Sequence, residues 1–177
     1  GGIGTYIKAA HENNATVGDH GNDTIRVDGD AVRAKVVGEG ANLGVTQAGR
    51  IQFAMAGGRI NTDFIDNSAG VDCSDNEVNI KIALAAAMAD DALTEPQRVK
   101  LLVTMTGSVA DIVLEDNRLQ TLALSVAEAG GANAIPSYVR LIEVLEDRDA
   151  LDRTTEGLAD SEALARRAAA GAGLTRP

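Results

Sequence analysis

Three side chains in the first half of the chain have the type and the setting to touch a ligand: Asn42, Asn67 and Ser74. Asn42 closes the run Gly38-Glu39-Gly40-Ala41-Asn42, and Asn67 opens the run Asn67-Ser68-Ala69-Gly70-Val71. Each run follows an apolar or extended segment and precedes a helix start. A carboxamide both donates and accepts hydrogen bonds, which suits a ribose hydroxyl or another carboxamide. Gly40 and Ala41 let a ligand approach the backbone closely, and the small residues after Asn67 leave room for a planar ring. Either asparagine reads equally as a left-handed turn residue that bonds its own backbone. Ser74 begins Ser74-Asp75-Asn76-Glu77, the S-x-x-E pattern of a helix capping box. Its hydroxyl therefore reads first as a cap. The free N–H groups of a helix N-terminus also receive carboxylates, so the same hydroxyl is compatible with an anion contact. Asp66, Asp72, Asp75 and Glu77 crowd this loop with negative charge, so an anionic ligand there needs a cation, with Arg59 and Lys81 as candidates.

These groups need a scaffold. Ala34 to Val37 reads as a short buried strand ending at Gly38. Thr46 offers an N-cap for a helix to about Ala56, with Ile51, Ala54 and Met55 on its apolar face and Gly57-Gly58 ending it. Arg59 to Asn61 is a second strand. Strand, loop, helix and strand in this order are what a parallel α/β sheet requires, with ligands at the carboxyl ends of its strands. Beyond about residue 77 helical patterning dominates. The expected helices start at Ser74, at Thr94-Glu95-Pro96 and, with Thr106 as a cap, before a stripe running to Gly130-Gly131. Two more cover 133–145 and 161–170. The fold class is therefore α/β, a partial Rossmann-like parallel sheet followed by a mainly α-helical region. The division falls at 1–80 and 81–177.

Composition narrows the function. A net charge of −10 over 177 residues and a pI near 4.6 argue against nucleic acid and anionic membranes as partners. Aromatic residues make up 2% of the chain, too few for stacking platforms. Hydrophobic content is 45%, much of it Ala, so the core should be thin and helix-rich. One cysteine, Cys73, excludes an intrachain disulfide framework. No apolar run approaches the roughly 20 residues that span a bilayer. A cytoplasmic protein is expected. His11 and His20 stand in a polar stretch and Cys73 lacks a nearby cysteine, so no metal site is expected. The polar stretch 11–23 has few apolar anchors, and the sequence does not decide whether it is ordered. The opening Gly1-Gly2-Ile3-Gly4 reads as mid-loop, and Gly173 to Pro177 as one helix ending and another beginning. The chain is therefore expected to be a fragment.

The long motifs resemble glutamate dehydrogenase, specifically the large bacterial NAD-dependent class. They are Gly1-Gly2-Ile3-Gly4-Thr5-Tyr6-Ile7-Lys8, the run from Lys35 to Gly44, Gly57 to Asp63, and Asp66 to Asp75. The resemblance is strong to about residue 85 and looser beyond. Smaller members of the family carry Glu-Gly-Ala-Asn followed by Pro-Thr; here Glu39-Gly40-Ala41-Asn42 matches and Leu43-Gly44-Val45-Thr46 departs. They also carry Asn-Ala-Gly-Gly-Val with a Ser three residues on, the spacing at which Ser74 falls. The resemblance implies NAD as cofactor, with Gly40, Ala41, Asn42 and Asn67 beside its nicotinamide ribose and carboxamide. It implies that Ser74 contacts the α-carboxylate of L-glutamate, and that the parent enzyme forms 2-oxoglutarate and ammonia as a homo-oligomer. The family's catalytic Lys and Asp and its pyrophosphate loop belong to sequence before residue 1, so this stretch alone is expected to be inactive. Two other readings remain. The helical region is an interaction or oligomerisation module with no small-molecule site, or the chain is a free-standing nucleotide-binding module.

Overall fold

The computed structural model describes residues 3–40 and 43–177. Two short strands, β1 (Ile7–Lys8) and β2 (Val27–Asp28), accompany seven helices: α1 (Asn14–Val17), α2 (Gln47–Met55), α3 (Asp63–Asp66), α4 (Asp72–Ala89), α5 (Glu95–Ala129), α6 (Ile135–Glu146) and α7 (Ser161–Ala169). β1 and β2 pair in parallel, Ile7 with Val27 and Lys8 with Asp28. Ile7 also bridges Val45 in parallel, where Thr46 N–H donates to the Ile7 carbonyl at 2.9 Å.

A second parallel bridge joins Val36 to Arg59. Arg59 N–H donates to the Lys35 carbonyl at 2.9 Å and Val37 N–H to the Arg59 carbonyl at 3.0 Å. The expected strand–helix–strand order is thus present, reduced to one bridge. Its first strand is not buried as expected, since Val36 is 65% exposed. A parallel strand is buried when helices cover both faces of its sheet, and a one-bridge ladder offers too little surface for that.

Thr46 caps α2 as expected, its hydroxyl accepting from Gly49 N–H at 3.0 Å. The buried face is nevertheless Gly49, Arg50 and Phe53, while Met55 is exposed. The displacement has a steric cause. At Gly49 the helix passes the backbone of Lys8 so closely that a Cβ would lie 2.9 Å from the Lys8 carbonyl carbon. That contact turns Arg50 and Phe53 inward. Phe53 joins Val45 and Ile60 in the core, flanked by Ile7, Val32, Val37 and Ala54. Gly58 passes directly against the Phe53 ring, where any Cβ would overlap it.

Residues 11–23, whose order the sequence leaves open, are organised by polar contacts. The Arg26 side chain is fully buried. It donates to the Thr5 carbonyl at 2.9 Å, Asn14 Oδ1 at 2.8 Å, Asp23 Oδ1 at 2.6 Å and the Asp19 carbonyl. One guanidinium carries five donors, so it replaces the missing apolar anchors.

Two helix boundaries also differ from expectation. α4 begins at Asp72, which puts Ser74 inside the first turn and leaves the expected capping box unformed. Turn carbonyls meet the early amides instead: Cys73 N–H donates to Ser68 O at 2.9 Å. α5 runs unbroken through Thr106, whose hydroxyl donates to the Leu102 carbonyl at 3.2 Å. A threonine that bonds back within the helix is a poor signal for a new start. The start near Thr94, the stop at Gly130-Gly131 and the two later helices agree with the sequence. Among the described residues no helix is long and apolar enough to cross a membrane.

Gly58→Ala is expected to destabilise the chain by about 1–3 kcal/mol, the usual scale of overpacking, as read by urea unfolding. A second expectation concerns acid. The side-chain bond from Asn22 and then the Thr5 amide hold Asp19 below the ordinary carboxylate range, and Arg26 does the same for Asp23. A carboxyl with a lowered folded value contributes stability that is complete above its unfolded value and lost as pH falls through the folded one. The amide resonances of Thr5 and Val27 should therefore disperse at neutral pH and collapse only below the ordinary Asp range. Dispersion that persists through that descent would rule the mechanism out.

Candidate functional site

The segment Gly38 to Gly40 leaves the Val36 bridge and turns Glu39 inward. Glu39 pairs through Oε1 with Nη2 of Arg50, and their side chains are 6% and 3% exposed. Arg50 Nη1 donates to the Asn61 carbonyl at 3.0 Å. One buried guanidinium on α2 thereby ties the loop after the first bridging strand to the end of the second. Asn61 continues the connection, its Nδ2 donating to Asp66 Oδ1 at 2.8 Å. Asp66 ends α3, and Asn67 follows.

The turn after α3 is closed by backbone bonds. Asn67 N–H donates to Asp63 O at 2.7 Å, and Gly70 and Val71 N–H both donate to Asn67 O at 2.9 Å. α5 holds the turn from outside, because Asn117 Nδ2 donates to the buried Ser68 hydroxyl. The Asn67 carboxamide lies against Gly70, where a Cβ would sit 2.7 Å from its Oδ1, and it faces Gly40, where a Cβ would sit 3.8 Å away. Two of the expected site residues, Gly40 and Asn67, are thus brought close together. Ala41 and Asn42 lie outside the described residues. Ser74 is exposed in the first turn of α4. Lys81, a candidate cation for that end of the helix, is paired with Glu77 and holds its carboxyl below the ordinary range.

A cleft of about 810 Å³ abuts these loops, lined by Gly38, Arg59, Asn61, Asp66, Arg167 and Arg176 among others. It lies where the two bridging segments end, the position at which open α/β sheets receive ligands. Among the described residues, two polar atoms of this neighbourhood, Glu39 Oε2 and Asp66 Oδ2, are buried without a hydrogen-bond partner. Among the described residues no group of three or more His, Cys, Asp or Glu could hold a metal ion.

The sequence reading missed Arg50, Asn61, Asn117 and Arg176. Only Arg50 left a trace, in its i, i+3 spacing to Phe53. The others act across separations that no local pattern records.

Parallel pairings joined through a helix, with glycine loops at their ends and a helical region behind, define an α/β unit of Rossmann-like type. Residues 1–127 match the family described as bacterial NAD-glutamate dehydrogenase, catalytic domain. The chain is 54% identical over 176 residues to the NAD-specific glutamate dehydrogenase of Pseudomonas aeruginosa, an alignment covering 99% of this chain and 11% of that protein. It is 49% identical over 177 residues to the enzyme of the same name from Mycobacterium tuberculosis, and 49% identical to that from Halomonas elongata. These cover 100% of this chain and 11% of each relative. The chain belongs to the bacterial NAD-glutamate dehydrogenase family, and it spans about 11% of the length of the relatives it matches.

Arg50→Met removes the charge partner of buried Glu39 and keeps most of the apolar stem. Breaking a buried pair by deleting one partner costs about 3–5 kcal/mol, the loss expected in urea unfolding. The double variant Arg50→Met with Glu39→Gln should recover part of that loss. A double variant no more stable than Arg50→Met would show that charge burial is not the cause.

Proposed function

We propose that this chain forms part of an enzyme that oxidatively deaminates L-glutamate to 2-oxoglutarate and ammonia, with NAD accepting the hydride. The observation that carries the reading is the facing of Asn67 and Gly40 within the frame made by Glu39, Arg50 and Asn61. The family match and the names of the relatives supply the chemistry.

Hydride transfer requires donor and acceptor carbons to be held in near-attack geometry. The residues described here serve that requirement by binding and orientation. Asn67 offers both a donor and an acceptor to the nicotinamide carboxamide or its ribose, and Gly40, with Ala41 and Asn42, supplies the facing backbone. Glycine at 70 sets the Asn67 carboxamide in place, since a side chain there would overlap it. Ser74, exposed in the first turn of α4 near the positive end of the helix, contacts the α-carboxylate of glutamate. In this reading, residues 1–80 form the end of the dinucleotide-binding region and residues 81–177 its helical companion, with the family match crossing that division into α5.

The long helix favours a second role for the helical region, as a packing surface within a homo-oligomer. Val113 is the one buried residue described on α5, while Val103, at 71% exposure, Leu114 and Val126 face outward. Apolar side chains exposed along one element are a common mark of a contact surface.

Glutamate-dependent NAD reduction by the full-length enzyme tests the assignment. Asn67→Ala should raise KM for NAD about tenfold, the scale of 1.4 kcal/mol of lost binding. Ser74→Ala should raise KM for glutamate and leave that for NAD unchanged. If both variants behave like wild type, the two loops are structural turns.

A further inference from the structure

Arg176 is the far end of a connection that reaches the Asn67 turn. Its Nε donates to Asn61 Oδ1 at 2.6 Å, across 115 positions of sequence. Its Nη1 donates to the Ser125 hydroxyl at 2.9 Å and its Nη2 to the Thr121 carbonyl at 3.1 Å, with the Glu128 carboxylate 3.7 Å away. Asn117, which holds Ser68 of the turn, stands four residues before Thr121 and eight before Ser125. One face of α5 therefore holds both Arg176 and the turn that Arg176 approaches.

The chemistry of Asn61 makes this more than a surface contact. An amide side chain has one accepting end and one donating end, so fixing either end fixes the other. Arg176 engages Oδ1, which turns Nδ2 towards Asp66 Oδ1. With the guanidinium removed, Asn61 Oδ1 loses that donor and the amide is held at one end alone, by its bond to Asp66 Oδ1. Asp66 relies on that one bond, because among the described residues its other oxygen is buried and unpartnered. Arg50 holds the main-chain carbonyl of Asn61, so the accepting end of the side-chain amide depends on Arg176. Asp66 immediately precedes Asn67.

We infer that Arg176 is a positioning residue for the cofactor loop, acting through the Asn61 amide and Asp66 to hold Asn67 in register. The inference rests on the proposed contact between Asn67 and the nicotinamide half of NAD. It makes NAD affinity depend on the docking of the segment after α7 against α5.

The test uses the full-length enzyme and two readouts, steady-state KM values and direct NAD binding by calorimetry. Arg176→Ala should weaken NAD binding and raise KM for NAD roughly three- to tenfold, the scale of one net hydrogen bond. KM for glutamate and kcat at saturating NAD should stay within about twofold, on the same scale. Asn61→Ala should give a similar loss, and the double variant no more than either single one. Multiplicative effects would overturn the inference, as would a kcat loss with NAD affinity unchanged. Arg176→Lys covers the case of poor folding: a lysine restores the charge and a donating group but not the spread fork that reaches three acceptors, so NAD affinity should recover only in part. Asn67→Ala in the same assay separates the two claims. If it raises KM for NAD and Arg176→Ala does not, the positioning role alone fails; if it has no effect, the contact and the positioning role fail together.

Discussion

A guanidinium withdrawn from water must find its counter-charge and its acceptors within reach, and Arg50 imposes that constraint on everything around it. It can be buried only because Gly49 allows α2 to press against the backbone of Lys8. Once there it requires Glu39 on one side and the Asn61 carbonyl on the other. The loop after the first bridging segment and the end of the second are thus placed by electrostatic necessity. The apolar core could not do this alone, since Val45, Phe53 and Ile60 and their flanking residues form a small cluster. A buried pair offers weak net stabilisation over an apolar equivalent, but it penalises every arrangement in which either charge is unmatched. Two loops that must face each other need that kind of discrimination.

The same device recurs at two other points. Arg26 gathers Thr5, Asn14, Asp19 and Asp23, and Arg176 gathers Asn61, Thr121 and Ser125. Each guanidinium stands where a chain of this composition lacks large apolar side chains. In an acidic, alanine-rich and aromatic-poor sequence, arginine takes over work that phenylalanine or leucine does elsewhere. Its forked, planar donor set reaches several carbonyls and carboxylates at once.

The sequence disclosed what neighbouring residues decide among themselves. Thr46 as a cap, Pro96 in a first turn and the Gly130-Gly131 stop are local choices, and all three appear in the structure. The parallel order of the bridging segments was legible because a helix between two strands permits little else. The inward face of α2 was not, because hydropathy scores Arg50 as a surface residue and Met55 as a core one. Ser74 misled for a different reason: the carbonyl of Ser68 had already met the Cys73 amide, so the helix could begin earlier without a hydroxyl. Thr106 carried the signature of a start but found an acceptor one turn back. At the site, the Gly40 and Asn67 loops were recognisable from their residue types. Their mutual approach was not, because it is enforced by contacts that run from Asn61 to Arg50, Asp66 and Arg176.

β1 is flanked by Val27 on one side and Val45 on the other, both in parallel and both later in the chain. That placement sets a timetable for synthesis. The strand emerges before both of these neighbours, the first of which follows about 20 residues later and the second about 38. At about 5–20 residues per second, the second follows roughly 2–8 seconds later. Ile7–Lys8 is short and carries a lysine, two properties that discourage an open edge from recruiting a foreign strand. The brevity that makes this sheet so slight once folded also protects the nascent chain while it is incomplete.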